Sequence, residues 1–107
     1  MNTNYLCDNN KGQYMNRTEI LKKANDIINN DRQATHGKPE DSFHNIALLW
    51  SAYLDRTLTV IDVAMLMTLM KIARVKNNTK HDDNFIDICG YSAIAGELNA
   101  GGRDGDE

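Results

Sequence analysis

Between Val60 and Val75 the sequence VIDVAMLMTLMKIARV places apolar side chains on every side of a helix, with charge only at Asp62, Lys71 and Arg74. A helix of that kind must be buried in a core, in a membrane or against another subunit. The three charges break the run before it reaches the roughly 20 apolar residues that span a bilayer. At 107 residues the chain is expected to build one core, which leaves little material to cover such a helix. The expectation is therefore an all-α four-helix bundle completed by oligomerisation, as a homo-oligomer of two or four copies.

The other helices follow from spacing and from their ends. Ile20, Leu21, Ala24, Ile27 and Ile28 make one stripe from about Thr18 to Asn29, with Thr18 or Asn16 as the cap. Asn30 to Lys38 reads as a loop broken by Gly37, and Pro39 fits the first turn of a second helix. Glu40 and Asp41 then favour its N-terminus, and its apolar face runs from Phe43 through Ile46, Ala47, Leu49, Trp50 and Tyr53 to Leu54. Thr59 with Asp62 has the spacing of a capping box for the third helix. The fourth starts near Asp82 or Asp83 and is expected to reach about Leu98. The domain boundaries expected are 1–15 and 100–107 as disordered tails around one helical domain, 16–99.

Composition removes several classes. The formal charge of −3 opposes a general duplex nucleic-acid binder, which needs a basic face. No apolar segment near Met1 resembles a signal peptide, and no membrane partner is expected. Cys7 and Cys89 lie in dissimilar settings, so a disulfide framework is not expected and a cytoplasmic location is. P-loop, dinucleotide-fingerprint, nucleophile-elbow and HExxH patterns are missing from the sequence.

The informative residues are charges on the two most apolar helices. Asp83 and Asp87 stack one turn apart, with Tyr91 continuing the line, and Lys71 and Arg74 share a side of the third helix. Charges there must be paired, solvated or used on a ligand. One reading is structural: Asp83 caps its helix, and Asp87 pairs with Lys71 or Arg74 to hold the helices in register. The other is functional: the two carboxylates hold Mg²⁺, the two cations meet phosphate, and Trp50, Tyr53, Phe43 or Tyr91 stacks a base. His36 and His44 suit a ligand-binding or proton-transfer role, although surface histidine is the commoner case.

The blocks HGKPEDSFHNIALLWSAYL (36–54), DVAMLMTLMKIARVK (62–76) and HDDNFIDICGYSAIAGEL (81–98) resemble a small phage and prophage family without an assigned function. That family is in turn distantly similar to the MazG-like all-α nucleotide pyrophosphohydrolases. This resemblance implies an oligomeric MazG-like fold in a host cytoplasm, and Mg²⁺ on helical carboxylates. Where those enzymes carry EExxE and ExxD helices, this chain offers Glu40 and Asp41 side by side and a DxxxD at Asp83 and Asp87. Three functions follow. The first is a nucleotide or cyclic-nucleotide binder of the anti-defence sponge type, using Lys71, Arg74, His36, His44, Trp50 and Tyr91. The second is an Mg²⁺-dependent nucleoside triphosphate pyrophosphohydrolase with Glu40, Asp83 and Asp87 on the metal. The third is an oligomeric interaction module without a small-molecule site.

Overall fold

The computed structural model describes residues 14–31 and 38–103, and every regular element among them is helical. The expected tail up to residue 13, including Cys7, lies outside the described residues, as do Gly37 and His36.

Helix α1 spans Arg17–Asp26 and is capped by Asn16, which settles the choice left open between Asn16 and Thr18. Asn16 Oδ1 accepts from the Glu19 backbone N–H at 2.8 Å, and Glu19 Oε1 accepts from the Asn16 N–H at 2.8 Å. Two N-terminal donors are satisfied reciprocally in this way. The helix runs on into a π-helical turn, Ile27–Asp31. Such widened turns are uncommon and occur frequently at functional sites.

Helix α2, Pro39–Leu54, begins with proline in its first turn and with Glu40 and Asp41 favouring the helix dipole. It ends on Asp55 in the left-handed conformation, φ 56°. The Arg56 N–H returns to Ser51 O and the Asp55 N–H to Ala52 O, the pairing of a Schellman motif. Ser51 Oγ then accepts from the Leu58 N–H at 2.8 Å and fixes the turn into the next helix. Helix α3, Val60–Asn77, carries the capping box expected at Thr59 and Asp62, with bonds of 2.9 and 3.0 Å.

Helix α4 spans Asp82–Arg103 and so continues past Leu98 through residues 100–103 of the expected tail, whose residues 104–107 lie outside the described residues. Glycine weakens a helix by about 1 kcal/mol, and it commonly ends one when it takes up the left-handed conformation. Gly101 adopts no such φ. Asp82 Oδ2 accepts from the Met15 N–H at 3.1 Å, tying the chain before α1 to the start of α4.

Helices α3 and α4 form the principal packed pair, with α1 laid on α4 and α2 on α3. Val63 and Ala64 are fully buried and Ile86 nearly so; Phe43, Ala47, Ile94 and Ala95 complete the seam. The other sides of α2 and α3 are a different matter. Leu48, Leu49, Tyr53 and Leu54 on α2 are exposed, as are Leu66, Leu69 and Ile72 on α3. The all-round apolar character of α3 is thus only half used within the described chain. No helix is long and apolar enough to cross a membrane among the described residues.

Candidate functional site

Asp87 lies at the meeting point of two hollows. It lines an apolar cavity of about 180 Å³ together with Ile27, Ile28, Phe43, Ile46, Tyr91 and Ile94. It also lines a polar cleft of about 420 Å³ whose other walls include Lys71, Arg74, His81, Asp83 and Asn84. The cleft sits where the last turns of α3 pass the first turns of α4. Four charges placed there by helical spacing are therefore brought to one hollow.

Inside that group the structural reading of Asp87 holds. Lys71 Nζ lies 2.7 Å from Asp87 Oδ2, with the side chains only 12% and 17% exposed. The pair is therefore largely withdrawn from water, and each charge makes the other tolerable. Arg74 and Asp83 are exposed residues of the same cleft. Asp83 does not pair with either cation within ion-pair distance among the described residues. Formal charges in the cleft balance, Lys71 and Arg74 against Asp83 and Asp87, His81 apart.

Asn84, which the charge pattern did not single out, is 7% exposed. It lines the cleft, and among the described residues its carboxamide makes no hydrogen bond. Buried amides carry donors and an acceptor that nearly always find partners. A signal was present in the sequence: Asn84 heads the stripe Ile88, Tyr91 and Ala95 at helical spacing, an interior line. An amide there is out of place unless something polar meets it.

The remaining candidates are placed as follows. Tyr91 lines the apolar cavity and packs on Phe43, ring centroids 6.1 Å apart and planes tilted by 46°. Trp50 packs on the hydrophobic core and lines neither hollow. Its indole is a core group, because the α2 face it occupies is the one laid on α3. Tyr53 is 89% exposed on the outer side of α2, away from both hollows. His44 is exposed and also lines neither. Glu40 is exposed in the first turn of α2.

The trio Glu40, Asp83 and Asp87 does not converge: among the described residues no three His, Cys, Asp or Glu side chains are grouped to hold a metal ion. Asp83 and Asp87 do share the cleft, but Asp87 already receives the Lys71 ammonium at 2.7 Å. A cation on that carboxylate would have to displace the lysine or sit against its charge. The residues present do not fit a resident Mg²⁺ centre.

A helical domain with a ring-sized apolar cavity opening beside a charged cleft is the class that this geometry defines. The chain belongs to the family described as Domain of unknown function (DUF6378), whose pattern matches residues 19–99. The match begins at Glu19 in the first turn of α1 and takes in α2, α3 and α4 up to residue 99. The chain is 48% identical over 73 residues to the Gene 55 protein of Mycobacterium phage D29, covering 68% of this chain and 48% of that protein. It is 41% identical over 76 residues to the Gene 55 protein of Mycobacterium phage L5, covering 70% of this chain and 49% of that protein. The chain thus spans about half the length of the curated relatives it matches. No solved structure matches it.

Proposed function

We propose that the chain binds and sequesters a nucleotide or cyclic nucleotide, with the base in the apolar cavity and phosphate in the adjoining cleft. The observation that carries this is the shared wall. Asp87 borders both hollows, so one ligand with an apolar ring and a charged group can occupy them together. The Asn84 amide, without a partner among the described residues, supplies donors at the phosphate end, and Arg74 supplies a forked cation that Lys71, committed to Asp87, does not. A balanced cleft suits a single phosphate or a phosphodiester better than a triphosphate, whose extra negative charges would face Asp83 and Asp87.

Sequestration stands above turnover because, among the described residues, Glu40, Asp83 and Asp87 do not gather as the metal-ligand set of a pyrophosphohydrolase would. The phage relatives give the sequestering reading its setting, the capture of a host signalling nucleotide in the cytoplasm of an infected cell. Isothermal titration with mono-, di- and cyclic nucleotides is expected to find a ligand that Arg74→Ala weakens at least ten-fold. Absence of binding at high micromolar concentration counts against the reading. Pyrophosphate release from any nucleoside triphosphate with Mg²⁺, lost in a folded Asp87→Asn protein, would replace it with the hydrolase.

The outer faces of α2 and α3 favour a second feature, self-association into a homo-oligomer. Leu49 is 69% exposed, and Leu48, Tyr53, Leu66 and Leu69 are exposed as well, large apolar side chains that association would withdraw from water. A second copy presents the same apolar side chains, so a two-fold contact between copies buries both. Light scattering is expected to give a dimer or tetramer that Leu49→Glu with Leu69→Glu converts to monomer. A wild-type monomer at high micromolar concentration would remove this feature and leave the nucleotide site untouched.

A further inference from the structure

We infer that the charged cleft selects a phosphate group with a single negative charge, so that phosphodiesters, cyclic nucleotides among them, bind in preference to the corresponding monophosphates; this rests on the nucleotide reading above. The charges that face an incoming anion set the preference. Lys71 and Asp87 neutralise each other at 2.7 Å. His81 apart, that leaves Arg74 and Asp83, one cation and one carboxylate, neither of them in an ion pair among the described residues. The two helix ends at the cleft also oppose each other. Asn77 lines it from the C-terminus of α3, which carries a partial negative charge, and Asp83 and Asn84 from the N-terminus of α4, which carries a partial positive one.

Between balanced charges a second negative charge on the ligand gains little, because what Lys71 and Arg74 contribute Asp83 and Asp87 offset. The hydration that it must surrender has no such offset, and grows with the square of the charge. A phosphate monoester has a second pKa of about 6 and is mostly dianionic above neutral pH. A diester has lost that second ionisable oxygen and stays a monoanion.

Neutral donors complete the match. The Asn84 carboxamide is 7% exposed, lines the cleft and has no hydrogen-bond partner among the described residues. An amide N–H meets a phosphate oxygen without adding charge, and a buried amide left unmatched costs stability. Asn77, exposed at the same cleft, offers a second carboxamide. Lysine or arginine at either position would suit a dianion; amides there suit a monoanion.

The test is a titration of the whole chain, at about pH 7.5, with cyclic AMP, the linear methyl ester of AMP, AMP and adenosine, and with the same series built on uridine. Both diesters are expected to bind at least ten-fold tighter than the monophosphate of the same base. Asp83→Asn, which removes the exposed carboxylate, is expected to tighten the monophosphates more than the diesters and so narrow that gap; Asp83→Ser serves the same purpose should the first variant fold poorly. Monophosphates bound as tightly as the diesters, or a gap unchanged in both variants, overturn the inference and leave the nucleotide reading standing. Cyclic diesters bound while the linear esters are not would show that ring shape is selected and not charge, and overturn it as well. Nucleosides bound as tightly as their phosphates overturn the inference with the phosphate half of that reading. No binding by any member of either series overturns both.

Discussion

The two sides of α3 have similar composition and opposite fates. On the side facing α4, Val63 and Ala64 are fully buried, and the line ends in the Lys71–Asp87 pair. On the other side Leu66, Leu69 and Ile72 remain in contact with solvent in the described chain. Hydrophobicity alone did not choose between them. The inner side won because its small residues let α4 approach, and because its single buried cation meets a carboxylate at the right height on the neighbouring helix. The lesson is that an apolar helix is oriented by where its few small and charged residues find complements.

That contrast can be broken from the inside first. Ile86→Ala, which empties a site 1% exposed in the α3–α4 seam, is expected to destabilise the domain by about 4 kcal/mol in urea unfolding. A loss under 1 kcal/mol would mean the seam is not the core. Next in size, Asp87→Ala strands the Lys71 ammonium and is expected to cost about 3 kcal/mol. The double change Lys71→Met with Asp87→Leu should return stability to within about 1 kcal/mol of the parent, because apolar replacement of both partners removes the desolvation penalty. Ligand binding should nonetheless be lost in that double variant; retained binding would show that the pair is structural only.

The outer side gives the smaller effects. Leu69→Ala is expected to change monomer stability by no more than about 0.5 kcal/mol, since an exposed leucine has little burial to lose. The same change should make the midpoint of thermal unfolding less dependent on protein concentration if a second copy covers that surface. The smallest effect is expected at the end of α2: Asp55→Gly relieves a left-handed residue and should stabilise by about 0.5 kcal/mol.

Much of this was legible in advance where a local signal existed. Pro39 at the start of α2 and the Thr59–Asp62 box at the start of α3 are decided by a few adjacent backbone donors, so their residues announce them. The end of α4 was not legible, because glycine content lowers helix propensity without dictating where the last turn closes. At the site, spacing correctly put Asp83 with Asp87 and Lys71 with Arg74 on common faces. It did not say that Trp50 would turn to the core, that Tyr53 would face outward, or that Glu40 would stand apart from the aspartates. A helical repeat fixes which residues share a side; which neighbour that side meets depends on how the helices cross. Asn84 was legible only in part: its place at the head of the Ile88, Tyr91 and Ala95 stripe marks an interior line, but the cleft it borders with Lys71 and Arg74 depends on how α3 and α4 cross.

The sequence by itself determined four helices, most of their starts and the pairing of like charges on each face, because these follow from interactions within a turn or two of backbone. The tertiary structure alone decided that Lys71 reaches Asp87, that Asp87 borders both an apolar cavity and a charged cleft, and that the Asn84 amide is buried with no hydrogen-bond partner among the described residues. Those facts join residues distant in the chain, and only the packing of one helix against another sets such distances.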